Sequence, residues 1–296
     1  MKKYESLIIG HVTMDENIDY TGAKVFSEGG AVLYSSAAAC GTGHKVAALT
    51  VLAENDAGRL DAFRLPKEDV FCIYKEKSTD MYNRYFTADR ERRESRCTSR
   101  GTPFEKEDFA TVPEAEIYHF AGLLYGDYGE GTVEYLATKG SVAADAQGFL
   151  RRADADGRMY FEDWEEKRKI IPFVTFLKTD AAEAEILTGT SDRAEAARIL
   201  CGMGAKEVLI THNTEVLVCD GKEIYTCPIK AESLAGRTGR GDTTFAVYVT
   251  ERLTRPIADA LRFATAAVSL KMATPGPYAG NREDVEKFIV NNYGGI

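Results

Sequence analysis

An aspartate lies among glycines and arginines in the segment "GRTGRGDTTF", residues 236–245. Gly239 and Gly241 flank Arg240, Asp242 follows, and an apolar run begins after it. A loop that leads into a helix leaves the first N–H groups of the helix unpaired and partly positive, so this junction suits an anion such as phosphate. The residues fit equally well a plain turn in which Asp242 caps the helix.

Two other carboxylate positions follow strand-like segments. Asp15 comes after "LIIGHVTM", where it could accept hydrogen bonds from ligand hydroxyls, or could be an ordinary turn residue. In "KTDAAEAEILTG", Asp180 and Glu183 have the spacing of a capping box at a helix start. Carboxylates at such a place also help to hold Mg²⁺, usually through water. The capping and metal interpretations are compatible.

The elements that must position these side chains alternate along the chain. Short apolar runs near Leu7, Ala47, His119, Val142, Val174 and Leu209 read as strands. Helix-like segments such as "DRAEAARILCGMGA" separate them. This alternation predicts an α/β fold with three α/β/α layers and a mostly parallel central sheet. Ligands bind beyond the carboxyl ends of the strands in such sheets.

Residues 70–100 read differently, because they are rich in Tyr, Phe, Val and Ile without a helical period. This pattern favours a hairpin or small sheet. The run "DRERRESR" within it is typical of a solvated hairpin tip, with a substrate-facing or partner-facing patch as the alternative. We therefore expect one main domain with a small β excursion.

Composition narrows the class of protein. The 296 residues are 44% hydrophobic and 28% charged, as in globular proteins, and the net charge of −9 argues against nucleic-acid binding. The N-terminal apolar run is too short for a membrane span and lacks a signal-peptide cleavage pattern, so we expect a cytoplasmic protein with no membrane partner. Six cysteines without CxxC spacing and four dispersed histidines predict neither a disulfide framework nor a metal cluster.

The segment "GRTGRGDTTF" matches neither of the two commonest nucleotide-binding motifs. The Walker pattern GxxxxGK[ST] is absent, and the third glycine of a dinucleotide fingerprint is missing. Instead, "GRTGRGDTTF" resembles the anion-hole signature of the ribokinase-like (PfkB) carbohydrate kinases. "GHVTMDEN" with "GGAVLYSSAAACGTG" resembles the N-terminal substrate motif of that family, and "KTDAAEAEILTG" resembles its NxxE region. The segments "AADAQGFLR", "EDWEEK", "GRTGRGD" and "KMATPGP" are similar to the branch that contains bacterial myo-inositol kinases.

The resemblance implies one ribokinase-like domain over residues 1–296, with lid strands inserted at about 12–30 and 70–100. It implies transfer of the γ-phosphoryl group of ATP to a polyol hydroxyl, with Asp242 as the base and Mg²⁺ as the metal. The catalytic group would be Asp242, Gly239, Arg240 and Gly241. The acceptor would be bound by Asp15, Gly29, Gly30, Asn83 and Gln147. The ATP and Mg²⁺–phosphate network would comprise Asp180, Glu183, Thr211, Arg237 and Thr238.

Three positions depart from the usual pattern of the family. Gly236 stands where an aspartate is frequent, Arg240 replaces a small residue, and Asp180 replaces an asparagine. The resemblance favours myo-inositol as acceptor, with a simple sugar or a nucleoside as the alternative within the same fold. A non-catalytic nucleotide or polyol sensor is the alternative from another class. Pairing of lids would make a homodimer.

Overall fold

The computed structural model describes residues 3–87, 92–233 and 235–294. The strands are β1 (Tyr4–Ile9), β2 (Thr13–Ile18), β3 (Lys24–Gly29), β4 (Val46–Leu52), β5 (Val70–Tyr74), β6 (Thr79–Tyr85), β7 (Arg93–Ser99), β8 (Ala115–Phe120), β9 (Ser141–Asp145), β10 (Arg151–Ala153), β11 (Met159–Phe161), β12 (Phe176–Asp180), β13 (Glu207–Thr211), β14 (Glu215–Cys219) and β15 (Ile224–Pro228). The α-helices are α1 (Ala31–Gly41), α2 (Thr132–Ala137), α3 (Gln147–Leu150), α4 (Lys167–Ile170), α5 (Ala181–Thr188), α6 (Arg193–Gly202), α7 (Arg240–Glu251), α8 (Ile257–Lys271) and α9 (Arg282–Tyr293).

A nine-stranded sheet with the order β15-β14-β13-β12-β9-β8-β1-β4-β5 forms the centre of the fold. Its strands pair in parallel from β13 to β5, and β14 and β15 extend one edge as antiparallel strands. The six apolar runs predicted as strands are β1, β4, β8, β9, β12 and β13. Continuous apolar runs are expected in a parallel sheet because helices cover both of its faces.

Helices pack on the two faces of this sheet and create separate cores. Leu136 of α2, Leu187 of α5 and Leu200 of α6 are buried in one core. On the opposite face, α7, α8 and α9 bury a second core around Phe245 and Phe263. The three-layer α/β/α architecture predicted from the sequence is therefore confirmed.

A separate four-stranded sheet, called the lid below, has the order β3-β2-β6-β7. β2 pairs antiparallel with β3 and parallel with β6, and β6 and β7 form an antiparallel hairpin. The range predicted for the second lid insertion began too early, because β5 joins the large sheet beside β4. Residues 89–91 of the run "DRERRESR", predicted as a hairpin tip, lie outside the described residues.

A short hairpin made of β10 and β11 docks on the lid edge. The N–H of Cys97 on β7 donates to the carbonyl of Gly157 at 2.8 Å, and Arg96 forms a bridge with Arg158. Gly157 has a φ of 76°, and a Cβ there would lie 2.3 Å from the Cys97 carbonyl oxygen. Within the described ranges, no helix is long and apolar enough to cross a bilayer.

Candidate active site

The carboxyl ends of three neighbouring parallel strands bring polar side chains together. Asp145 ends β9, Asp180 ends β12 and Thr211 ends β13. In register, Lys178 of β12 lies opposite Asp145, and Asp180 lies opposite Thr211. This edge of the sheet is where ligands bind in open α/β folds.

The N-terminus of α7 points at the same edge. Gly239 is its N-cap with a φ of 78°, and a Cβ there would lie only 2.0 Å from Cδ1 of Tyr34. Asp242 is the third residue of α7 and makes no capping hydrogen bond, so the capped-turn interpretation of Asp242 was wrong. The N–H groups of Gly241 and Asp242 donate to no acceptor within the described residues. Unpaired N–H groups at a helix start form an anion site.

A lysine from the end of α8 fixes the loop before α7. Lys271 is buried, and its Nζ donates to the carbonyl oxygens of Gly236 and Thr238. A Cβ on Gly236 would lie 2.0 Å from the carbonyl oxygen of Thr274, so the loop can pack here only with glycine. Burial lowers the pKa of Lys271 to about 8, although Asp242 opposes this shift.

Asp242 is a desolvated carboxylate with both acidic and basic side chains around it. Burial, and then the neighbouring Asp145, raise the pKa of Asp242 to about 6, while Lys178 and Lys271 act in the opposite direction. Burial also raises the pKa of Tyr34 to about 12, with Asp242 and Asp15 as the next causes. Asp242 of the main domain and Asp15 of the lid therefore both lie within electrostatic range of Tyr34.

Lys178 is a buried cation at the centre of the acidic groups. Its Nζ lies 2.9 Å and 3.1 Å from the two carboxylate oxygens of Asp145 and 3.9 Å from Oε2 of Glu183. Burial alone would lower the pKa of Lys178, but the surrounding carboxylates, Asp145 first, raise it above its ordinary value. The lysine is thus held in its charged form.

Asp180 and Glu183 form the capping box that their spacing predicted. The N–H of Glu183 donates to Oδ1 of Asp180 at 2.8 Å, and the N–H of Asp180 donates to Oε2 of Glu183 at 2.8 Å. Burial raises the pKa of Glu183 to about 7, with Lys178 acting against it. Each carboxylate keeps one oxygen outside these two bonds.

The predicted acceptor motif places Asp15 against Gly29, and Gly30 against the backbone of His11. Oγ1 of Thr13 donates to Oδ1 of Asp15 at 2.6 Å, and burial raises the pKa of Asp15. A Cβ on Gly29 would lie 2.5 Å from Oδ2 of Asp15. Gly30 has a φ of 107°, and a Cβ there would lie 2.3 Å from the carbonyl oxygen of His11. At both positions a side chain would collide with these neighbouring atoms, so the close packing here requires glycine.

Asn83 and Gln147 lie on different elements of the fold. Asn83 is buried in the lid, where Oγ of Ser95 donates to its Oδ1 at 2.6 Å and its Nδ2 donates to Asn17 at 3.3 Å. Gln147 begins α3, and its backbone N–H donates to Oδ1 of Asp145 at 3.1 Å. Gln147 is therefore tied to the Lys178–Asp145 pair, whereas Asn83 is tied to its lid neighbours.

Arg240 is half-buried at the first position of α7 and has a protein partner. Its Nη1 donates to Oδ1 of Asn213, in the turn between β13 and β14, at 2.7 Å. Burial, and then the proximity of Arg237, lower the pKa of Arg240. The two arginines therefore lie within electrostatic range of each other, on either side of the exposed Thr238 and the cap Gly239 in the sequence.

Sequence reasoning missed four residues that the structure brings to this site: Lys178, Asp145, Lys271 and Arg151. The sequence does hold a signal for Lys178 and Asp145. Each is a charged residue in a short strand segment that begins with apolar residues or is mostly apolar, "FLKTD" for Lys178 and "SVAAD" for Asp145. Nε of Arg151 donates to the carbonyl of Leu123 at 2.7 Å. Its charge lowers the pKa values of both Asp15 and Asp242, although burial dominates each.

The fold and the unpaired start of α7 beside Asp242 are those of a phosphoryl-transferring kinase of the ribokinase type. Residues 8–284 match the pfkB family carbohydrate kinases, and the chain belongs to this family. Members of this family transfer phosphoryl groups to hydroxyl groups, so the protein is a kinase of this class. The predictions of family and reaction class are confirmed.

Proteins similar to this chain include two kinases with solved structures and, over a shorter segment, a cytidine kinase. One solved structure is a pyrophosphate-dependent kinase of the ribokinase family, complexed with a pyrophosphate analog and myo-inositol. Its sequence is 34% identical to this chain, and the TM-score is 0.84. The match covers 95% of this chain and 99% of that chain. A second solved structure is a pyrophosphate-dependent myo-inositol-1 kinase that was converted into a myo-inositol-3 kinase by mutation. It is 32% identical with a TM-score of 0.84, and the match covers 97% of this chain and 99% of that chain. A cytidine kinase of Thermococcus kodakarensis is 44% identical over 78 residues, which span 25% of this chain and 28% of that kinase.

Proposed function

We propose that this kinase transfers a phosphoryl group from pyrophosphate to a hydroxyl of myo-inositol. The observation that carries the proposal is the unpaired N-terminus of α7, with Asp242 on its first turn. Similarity to pyrophosphate-dependent kinases, one of them complexed with myo-inositol, supports the choice of donor and acceptor.

The proposed donor differs from the ATP that the sequence resemblance implied. Pyrophosphate carries its whole charge on two phosphates and has no base or ribose to bind, so its affinity must come from cations and N–H groups. Arg237 and Arg240 lie together beside the mouth of α7, and Lys178 and Lys271 lie around its first turn. This concentration of positive charge in a chain of net charge −9 supports a small, highly charged donor.

Asp242 would act as the general base. The hydroxyl of the acceptor loses its proton to the Asp242 carboxylate while its oxygen forms a bond to phosphorus. The bond between that phosphorus and the bridging oxygen breaks, and the electron pair leaves with the departing phosphate. The N–H groups of Gly241 and Asp242 would stabilise the charge on the transferring group, as electrostatic catalysis of phosphoryl transfer requires.

Asp180 and Glu183 would serve Mg²⁺ only through its water shell. No group of three carboxylate, histidine or cysteine side chains able to hold a metal occurs among the described residues. The capping box leaves each carboxylate one oxygen, which fits a hydrated ion rather than a direct ligand cage. Mg²⁺, when bound with the donor, supplies charge neutralisation of the phosphates. Thr211 and Thr238 are proposed neighbours of the donor phosphates.

The lid would cover the acceptor. Asp15 would accept hydrogen bonds from its hydroxyls, Gly29 and Gly30 would let the backbone pack closely around Asp15 and His11, and Asn83 and Gln147 would add polar contacts. A cytoplasmic location and a homodimer formed through the lid stay predictions.

A matrix of donors and acceptors tests the proposal. The purified protein is incubated with pyrophosphate or ATP, each with myo-inositol, ribose, a hexose or cytidine, and kcat/KM is measured for each pair. Pyrophosphate with myo-inositol should give the highest value. A higher value with ATP would correct the donor, and a higher value with ribose, the hexose or cytidine would correct the acceptor. No turnover in any pair, with donor binding retained, would support a sensor instead.

A further inference from the structure

The side chain of Lys178 extends from β12 to the first turn of α7. A Cβ built on Gly241 would lie 3.0 Å from both Cε and Nζ of this lysine. Gly241 does not have a positive φ, so its backbone conformation does not require glycine. What glycine provides at this position is space for Lys178 beside the N–H groups that start the helix.

The position of this lysine is fixed by carboxylates on two sides. Asp145 holds Nζ through both of its oxygens at 2.9 Å and 3.1 Å, and Glu183 lies 3.9 Å away. The Lys178 side chain is only 7% exposed. A cation that is already ordered and desolvated loses little entropy when an anion arrives, and it acts in a medium where charge is weakly screened.

A purely structural lysine–aspartate pair could lie anywhere in the sheet. This pair instead lies where the N–H groups of Gly241 and Asp242 have no acceptor among the described residues. The helix start and the ammonium group therefore present positive charge to the same volume. Two independent features place the Lys178 ammonium group beside the start of α7. They are the absence of a side chain at Gly241 and the register of β9 with β12.

We propose that Lys178 is a catalytic residue that contacts the phosphoryl group held at the N-terminus of α7 and stabilises its negative charge during transfer. The proposal rests on the phosphoryl-transfer function proposed above and holds for either donor. Lys178 gives up no proton in this step. The acceptor proton goes to Asp242, and the electron pair of the broken P–O bond goes to the departing phosphate.

Lys178→Met removes the charge, Lys178→Arg keeps it in another shape, and Lys167→Met is the matched control. Lys167 pairs with Asp163 at 2.6 Å and has a side chain 15% exposed, and it belongs to α4 on another part of the fold. We measure kcat, the KM of donor and acceptor, and the Kd of methylenediphosphonate by calorimetry with and without Mg²⁺. Circular dichroism and melting temperature report folding. Because Lys178→Met leaves Asp145 buried and unpaired, the double variant Lys178→Gln with Asp145→Asn is the second test.

Lys178→Met should lower kcat about 100-fold, the loss typical of removing one donor to a transition-state anion. It should also weaken methylenediphosphonate binding about 10-fold even without Mg²⁺, at an unchanged acceptor KM. Lys178→Arg should recover part of the anion binding, and Lys167→Met should match the wild type. Should Lys178→Met not fold, the double variant must show the same losses. Wild-type kcat and Kd in a folded variant would overturn the proposal. An inactive wild-type protein would contradict the proposed function instead, while the methylenediphosphonate Kd would still test Lys178.

Discussion

Replacement of Asp242 by asparagine separates chemistry from folding. The variant keeps the size of the side chain but removes the basic oxygen, so kcat should fall by about 10²–10⁴-fold, the typical contribution of a general base. Affinity for donor and acceptor should change little, because it depends on N–H groups, cations and other side chains. Since Gly239 rather than Asp242 caps α7, the helix loses no cap.

The same substitution should leave the protein at least as stable. The pKa of Asp242 rises from an ordinary 3.8 to about 6, mainly through burial. This shift means that the charged carboxylate destabilises the folded state by at most about 3 kcal/mol. The cost is smaller to the extent that water reaches the carboxylate. A carboxyl group whose pKa is higher in the folded state than in the unfolded state destabilises the protein once the pH exceeds the pKa of the unfolded state. Asp242→Asn should therefore raise the free energy of unfolding at pH 8, and by less at pH 5.

Steady-state kinetics, urea unfolding at both pH values and a pH profile form the assay. In the wild type, kcat/KM should fall as the pH drops through about 6, since protonated Asp242 cannot accept the hydroxyl proton. Asp192→Asn is the control, because Asp192 caps α6 and asparagine caps equally well. An Asp242→Asn variant with more than about a tenth of wild-type kcat would refute the general-base role.

Three further substitutions test the surroundings of the base. Asn83→Ala should raise the acceptor KM about 10-fold through loss of a polar contact, with the donor KM unchanged, and unchanged acceptor kinetics would remove Asn83 from the site. Arg240→Ala should lower kcat by one to a few orders of magnitude, about 1.4 kcal/mol per tenfold. If Asn213→Ala, which removes only the partner of Arg240, has the same effect, the guanidinium contact with the donor is refuted. Gly239→Ala should lower both melting temperature and donor affinity, because its φ is 78° and its Cβ would clash with Tyr34; a wild-type melting temperature would contradict this packing.

Local sequence patterns predicted the elements of the fold well. The apolar runs became strands of the large sheet, and the spacing of Asp180 and Glu183 became a reciprocal capping box. Side chains also alternate along β6, since Asn83 and Tyr85 are buried while Arg84 is exposed. These features depend on residues within a few positions of each other, so the sequence carries them directly.

Features set by tertiary packing were missed or misjudged. Lys178 and Asp145 are 33 positions apart and meet only through the register of β12 with β9. The apolar β5 resembled a lid strand because its sequence does not reveal that β4 is its neighbour. The sequence around Asp242 is compatible with an N-cap at this residue, but in the structure Gly239, in the left-handed conformation, is the N-cap of α7.

Phosphorus-31 NMR of one reaction mixture tests the central claim most directly. The protein is incubated with pyrophosphate and myo-inositol, and the spectrum is compared with that of Asp242→Asn under the same conditions. A new phosphomonoester signal should grow together with orthophosphate in equal amounts, and both should be nearly absent in the variant. Orthophosphate without a phosphomonoester, or equal rates in the two proteins, would contradict a transfer to inositol that depends on Asp242.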